Sequence, residues 1–246
     1  MLEIKNIKKS FSDLDVLNGI DISVNQGDVI AILGPSGSGK TTLLRCINFL
    51  ESADSGEMIF DGEHIDLAKV DKKTISRIRR KTGFVFQNYN LFLNKTALQN
   101  VMEGLTTVRK MDKKEAEKIA LASLQRVGLA NWKDHYPDQL SGGQQQRVAI
   151  ARSIAYNPEV IFFDEPTSAL DPELIGEVLN CIKELAESGM TMLIVTHEMN
   201  FARNVANKIV FMDRGIVLEE NSPEEFFNHP KEERSKQFLS KIENKE

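Results

Sequence analysis

The chain has 246 residues, 41% hydrophobic and 27% charged, enough for one large globular domain or a domain with a subdomain. Its net charge of −5 argues against nucleic acid as the main partner, because phosphate backbones call for a basic field. Only Cys46 and Cys181 are present, with no disulfide framework or metal-ligand spacing, no run nears the roughly 18 apolar residues of a membrane span, and Met1-Leu2-Glu3-Ile4-Lys5 shows no apolar signal region; together these fit a reducing cytosol.

In chain order, the segment up to about residue 28 alternates apolar and polar side chains in Leu2-Glu3-Ile4-Lys5 and in Ile20-Asp21-Ile22-Ser23-Val24. That is the period of a half-buried strand, and it predicts an antiparallel flap leading into a core. Four later runs barely alternate: Val29-Ile30-Ala31-Ile32-Leu33, Gly83-Phe84-Val85-Phe86, Val160-Ile161-Phe162-Phe163 and Met192-Leu193-Ile194-Val195. Such runs suit strands buried on both faces of a parallel sheet. They lead into Gly34, Gln87, Asp164 with Glu165, and Thr196 with His197. Ligands of open α/β sheets bind at the C-terminal strand edge, so four strand ends predict one site.

Helices fill the gaps. Lys40 to Leu50 sets Leu43, Ile47 and Leu50 on one face, and the basic stretch Lys72 to Lys81 reads as a solvated helix face. Residues 113–127 align Ala116, Ala120, Leu124 and Val127, with Gly128 placed as a C-terminal cap. Asp171-Pro172 opens a helix carrying Leu174, Val178, Ile182 and Leu185, and Gly189 ends it. Residues 88–157 break the strand–helix alternation and read as an inserted helical subdomain, leaving 1–87 and 158–246 as the core.

Three motifs carry the chemistry. Gly34-Pro35-Ser36-Gly37-Ser38-Gly39-Lys40-Thr41 follows an apolar strand and opens a helix, as a phosphate-binding loop (Walker A) does. Its backbone N–H groups and helix start attract phosphate oxygens, Lys40 can reach the β and γ phosphates, and the Thr41 hydroxyl can meet Mg²⁺. Val160 to Asp164 is an apolar strand ending in a carboxylate, a Walker B pattern, with Asp164 as a Mg²⁺ holder and Glu165 as the group that polarises the attacking water. Leu140-Ser141-Gly142-Gly143-Gln144 makes a second helix start fit for an anion.

That last pentapeptide is the signature of the ATP-binding-cassette family, which the chain resembles over nearly its whole length. The resemblance implies an α/β fold: a phosphate-loop NTPase core with a mostly parallel sheet, an N-terminal antiparallel β subdomain and an inserted helical subdomain, in one ATPase domain over 1–246. It implies that Phe11 stacks on adenine and that Val16 and Thr42 join Gly34 to Thr41 in holding ATP. Ser141, Gly142, Gly143 and Gln144 would grip a nucleotide on a second copy of the chain, in a homodimer with ATP between subunits. Gln87 matches the Q-loop glutamine, Ser168-Ala169-Leu170-Asp171 the D-loop, and His197 the switch histidine at the γ-phosphate. Metal contacts fall to Thr41, Gln87 and Asp164.

Further stretches resemble importer subunits for polar amino acids: Gln144 to Arg152, Asp164 to Glu173, Val195 to Met199, and Pro230 to Arg234 followed by Phe238-Leu239. That family implies spanning permease subunits, an extracellular or periplasmic amino-acid-binding protein acting indirectly, and a peripheral place on the cytoplasmic membrane face. Cystine leads arginine, histidine and glutamine as the solute by general resemblance. Leu93 departs from the proline that relatives often carry there, at the place where the family docks its membrane partner. The competing functions are a cassette ATPase of efflux or lipoprotein release, and a soluble cassette ATPase outside transport. The latter usually carries two cassettes or a long coiled-coil insertion, neither of which is present.

Overall fold

A computed structural model describes residues 1–243. They form two compact units, one from Met1–Arg79 with Gly189 onward, the other from Arg80–Ser188.

The first unit opens with strands β1 (Leu2–Phe11) and β2 (Leu14–Val24), paired antiparallel with Leu2 opposite Val24 and Phe11 opposite Leu14. Leu2, Ile4, Ile20, Ile22 and Val24 are buried, which is what their alternation predicts, and Ile7 and Leu17 are buried although they lie three residues from Ile4 and Ile20, where the register shifts. Strand β3 (Val29–Leu33) and helix α1 (Lys40–Ile47) follow, then β4 (Ser55–Phe60), β5 (Glu63–Asp66) and α2 (Lys72–Arg79). β4 and β5 extend the first hairpin to a sheet of order β2-β1-β4-β5. The flap expected from the first 28 residues therefore draws half its strands from later sequence. α2 exposes Lys72, Lys73 and Arg77. Arg77 pairs with Glu63, and Arg79 donates from Nε to the Asn48 carbonyl at 3.1 Å.

The second unit contains β6 (Thr82–Val85), α3 (Ala97–Thr107), α4 (Lys113–Arg126), α5 (Gly142–Ile154), β7 (Val160–Asp164) and α6 (Pro172–Glu187). β6 and β7 run parallel, with Val85 opposite Phe163. This unit is broader than the helical segment 88–157 read from the sequence, since it takes in both strands and α6. Packing explains the reach: a Cβ on Gly83 would lie 2.3 Å from Ser153 Oγ, so α5 sits directly on β6. Asp171 is at the N-cap of α6, but its side chain makes no capping bond, and Pro172 sets the helix start.

The chain then returns to the first unit with β8 (Met192–Val195), α7 (Met199–Val205), β9 (Lys208–Asp213), β10 (Ile216–Asn221), α8 (Pro223–Asn228) and α9 (Glu233–Glu243). β3 is parallel to both neighbours, Ile32 facing Val195 of β8 and Val210 of β9. Its five residues are all buried, which accounts for the missing alternation. β10 pairs antiparallel with β9. Phe211 of β9 packs on Phe226 and Phe238, ring centroids 5.7 and 5.1 Å away, and anchors α8 and α9.

Candidate functional site

In the first unit the loop from Gly34 to Gly39 joins β3 to α1. A Cβ on Gly34, at φ 147°, would lie 2.0 Å from the Met212 carbonyl oxygen. One on Gly39, at φ 98°, would lie 2.7 Å from the carbonyl oxygen of Val16. The loop is thus threaded between two backbones, and only glycine fits at either place. Val16, expected to hold nucleotide, lies against the loop through its backbone.

Pro35 is half-buried, Ser36 and Gly37 form the exposed crest, and Thr41 and Thr42 lie half-buried in the first turn of α1. Lys40 is buried, and its ammonium donates to the Gly34 and Pro35 carbonyls at 2.9 Å each, curling across the inside of the loop. Ser38 Oγ is buried without a hydrogen-bond partner. Leaving such a group unsatisfied costs about 1–3 kcal/mol. No acid stands in the first turn of α1 to occupy its N–H groups. The loop therefore collects donors: helix N–H groups, an ammonium and an orphaned hydroxyl. That set fits phosphate oxygens.

β8 runs parallel to β3, so His197 leaves the same sheet edge as Gly34 and is exposed there. The Thr196 Oγ1 accepts from the Glu198 amide at 3.0 Å and shapes that turn. Phe11, at the end of β1, is 44% exposed. The Lys9 ammonium lies 4.8 Å from its ring centroid, itself paired with Glu51 at 3.3 Å and Asp54 at 3.5 Å. One ring face is thus against a cation.

The second unit carries the remaining predicted residues. Gln87 and Asp164 leave the parallel pair β6 and β7 at the same edge, Gln87 exposed and Asp164 buried. Glu165 follows at φ 47°, the left-handed region, which costs a residue with a Cβ about 1–3 kcal/mol. Its carbonyl accepts from the Ser168 amide at 3.2 Å and from Ser168 Oγ at 2.9 Å, which ties down the turn.

At the start of α5, Ser141 Oγ accepts from the Gln144 amide at 3.2 Å while Gln144 Oε1 accepts from the Ser141 amide at 2.9 Å. This reciprocal cap fixes both side chains, and the serine hydroxyl still has a proton to donate. Gly142 is half-buried, and Gly143 is buried against Leu174.

Three supporting residues escaped the sequence reading. Lys9 lies two positions before Phe11, on the same strand face, and that period was the available signal. Gln146 is fully buried on α5, and its Nε2 donates to the Phe86 carbonyl at 3.1 Å, one residue before Gln87. It falls on the stripe Gly143, Gln146, Ile150, Ile154, all buried. Asn100 is fully buried on α3; it accepts from the Phe92 amide at 2.7 Å and donates to the carbonyls of Phe92, Lys95 and Thr96 at 3.0–3.1 Å. Nothing in the sequence distinguishes it from a surface asparagine. Cys46 and Cys181 are buried and unpaired in disulfides, and burial pushes both thiols up to about 12, so they are protonated at neutral pH.

A glycine loop between a buried parallel strand and a helix, with a lysine turned into it, belongs to the phosphate-loop nucleoside triphosphatases. Residues 17–168, more than half of the chain, match the family model described as ABC transporter, and the chain belongs to that family as an ATP-binding cassette with ATPase activity. It is similar to the L-cystine import ATP-binding protein TcyC of Bacillus subtilis, 55% identical over 245 residues and 99% of both chains. It is also similar to the glutamine transport ATP-binding protein GlnQ of Geobacillus stearothermophilus, 52% identical over 99% of this chain and 100% of that one. Among solved structures, a dimeric bacterial ABC transporter cassette, MJ0796, superposes with a TM-score of 0.80 at 38% identity, covering 91% of this chain and 99% of that one. The same cassette in a post-hydrolysis state bound to ADP and Pi gives a TM-score of 0.79 at 38% identity, with the same coverage.

Proposed function

We propose that this chain is the subunit that binds and hydrolyses ATP to energise import of a polar amino acid, cystine first among the candidates. The carrying observation is the donor-lined loop around Lys40 and the unpartnered Ser38 hydroxyl, in a chain that parallels amino-acid import ATPases from end to end. Gly34 to Thr42 would bind the phosphates, and Phe11 would take the adenine ring on the face away from Lys9. Glu165 would orient the attacking water, Gln87 would sense the partner, and His197 would contact the γ-phosphate.

A Mg²⁺ ion bound with the nucleotide would add positive charge at the phosphates. Thr41 and Asp164 offer hard oxygen ligands and Gln87 a third. Among the described residues no group of three His, Cys, Asp or Glu could hold a metal. An ion shared with phosphates needs only one carboxylate and a hydroxyl.

Base–aromatic stacking is worth about 1–3 kcal/mol and tolerates any base. Phe11→Ala is therefore expected to weaken ATP and GTP binding alike, by about tenfold, in equilibrium titrations without turnover. Unchanged affinities alongside a lowered melting temperature would make Phe11 an anchor of the β1–β2 hairpin instead.

The membrane side of the reading rests on Tyr89 to Leu93. Phe92 is 45% and Leu93 78% exposed, and Asn100 holds Phe92 through two hydrogen bonds and the following Lys95 and Thr96 through one each. We assign the loop to a helix of a spanning permease, with the chain peripheral on the cytoplasmic membrane face, residues 88–157 as its signature subdomain and a solute-binding protein acting on the far side. Among the described residues no helix is long and apolar enough to cross a membrane. Phe92→Glu or Leu93→Glu is expected to abolish uptake while the isolated chain keeps its melting temperature and ATP affinity. Normal uptake in both variants would place the docking surface elsewhere.

A further inference from the structure

Tyr89 lies two residues after Gln87, and its hydroxyl donates to the Ala169 carbonyl at 3.2 Å. A Cβ on Gly142 would lie 2.6 Å from that same hydroxyl oxygen, 3.2 Å from Leu170 Cδ2 and 3.5 Å from Tyr89 Cζ. The phenol is thus wedged between the first residue of α5 and the turn that follows Glu165. The backbone around it is already fixed from α5. Gln146 holds the Phe86 carbonyl, and Arg152 donates to the carbonyls of Asn90 at 2.7 Å and Tyr89 at 3.2 Å. On the far side, Ser168 hangs from the Glu165 carbonyl by two bonds. The tyrosine hydroxyl joins these two braced segments, and it does so over the signature glycine.

We propose that Tyr89 is a positioning residue for ATP hydrolysis: its hydroxyl latches the Gln87 segment to the turn after Glu165, and its presence is what denies position 142 a side chain. The inference rests on the reading that Gln87, Glu165 and the signature loop serve hydrolysis. None of the three contacts involves the phosphate loop, so a loosened latch should act on turnover and not on nucleotide capture.

The test uses the full chain assembled with its permease. Tyr89→Phe removes the hydroxyl and keeps the ring. ATP affinity measured without turnover should stay within about twofold, while kcat falls about threefold to tenfold, the size of one ordinary hydrogen bond. Gly142→Ala should lower kcat more than Tyr89→Phe does, because its Cβ meets the hydroxyl. The double variant should recover activity above Gly142→Ala alone, since the remaining Cζ contact at 3.5 Å is ordinary and Leu170 ends in a movable methyl. A double variant no better than Gly142→Ala, or a Tyr89→Phe chain with unchanged kcat, overturns the proposal. Tyr89→Phe preserves the packing ring, so its kcat and affinity decide the matter even if Gly142→Ala fails to fold. Failure of the underlying reading shows separately, as normal turnover in Glu165→Gln.

Discussion

Glu165→Gln is expected to bind ATP as tightly as the parent chain and to hydrolyse it at least about a hundredfold more slowly, the range for a group that handles a proton in the transition state. The substitution keeps size and shape and removes the charge. Glu165 holds a left-handed backbone conformation that glycine would adopt more cheaply, and its carbonyl is clamped by Ser168, so the side chain is aimed at a cost to stability. A position filled for structure alone would favour a residue without that strain. Glutamine inherits the same backbone and the same aim, and loses only basicity. Steady-state phosphate release with a binding titration separates the two quantities. Near-normal turnover would remove Glu165 from the chemistry.

The second large effect concerns two copies. Each chain holds two helix starts that can receive an anion, one at Gly39-Lys40 and one at Ser141, where the capping box leaves a hydroxyl proton to donate. One ATP has a single γ-phosphate. A head-to-tail dimer, in which each signature loop closes over the partner's nucleotide, uses both starts and excludes water from the phosphates. In a linked dimer, Lys40→Ala in one half and Ser141→Arg in the other would damage one composite site twice and leave one intact. Both changes in the same half would damage both sites. The split arrangement should keep measurable phosphate release, and the combined one should lose nearly all of it. The reverse ranking would mean that each chain works alone.

Much of this was legible in the sequence because buried parallel strands cannot alternate. β3, β7 and β8 coincide with their apolar runs to within one residue, and the residues singled out after them follow directly on the C-terminal ends of these strands. β9 carries an unbroken apolar run, Ile209-Val210-Phe211-Met212, that the sequence reading passes over; β4, β5 and β10 have none, since Ser55–Phe60, Glu63–Asp66 and Ile216–Asn221 mix charges with apolar side chains. The signal for them lay in the turns. Asp61-Gly62 and Arg214-Gly215 each place two consecutive residues at positive φ, the hairpin turn that such a pair favours. The extent of the second compact unit was hidden for another reason. It depends on α5 lying against Gly83, a tertiary contact that no local pattern encodes. The same holds for Lys9 against Phe11 and for Tyr89 against Gly142: the residues could be named, but their neighbours could not.

The link from ATP to solute is tested most directly by uptake. In cells lacking this chain but retaining its permease and binding protein, uptake of labelled cystine should collapse and be restored by the wild-type chain. Lys40→Ala, which takes the ammonium out of the phosphate loop, should not restore it. Labelled arginine, histidine and glutamine, measured in parallel, identify the solute if cystine is not the one. Uptake of all four amino acids that continues unchanged without the chain would contradict its assignment to polar amino-acid import.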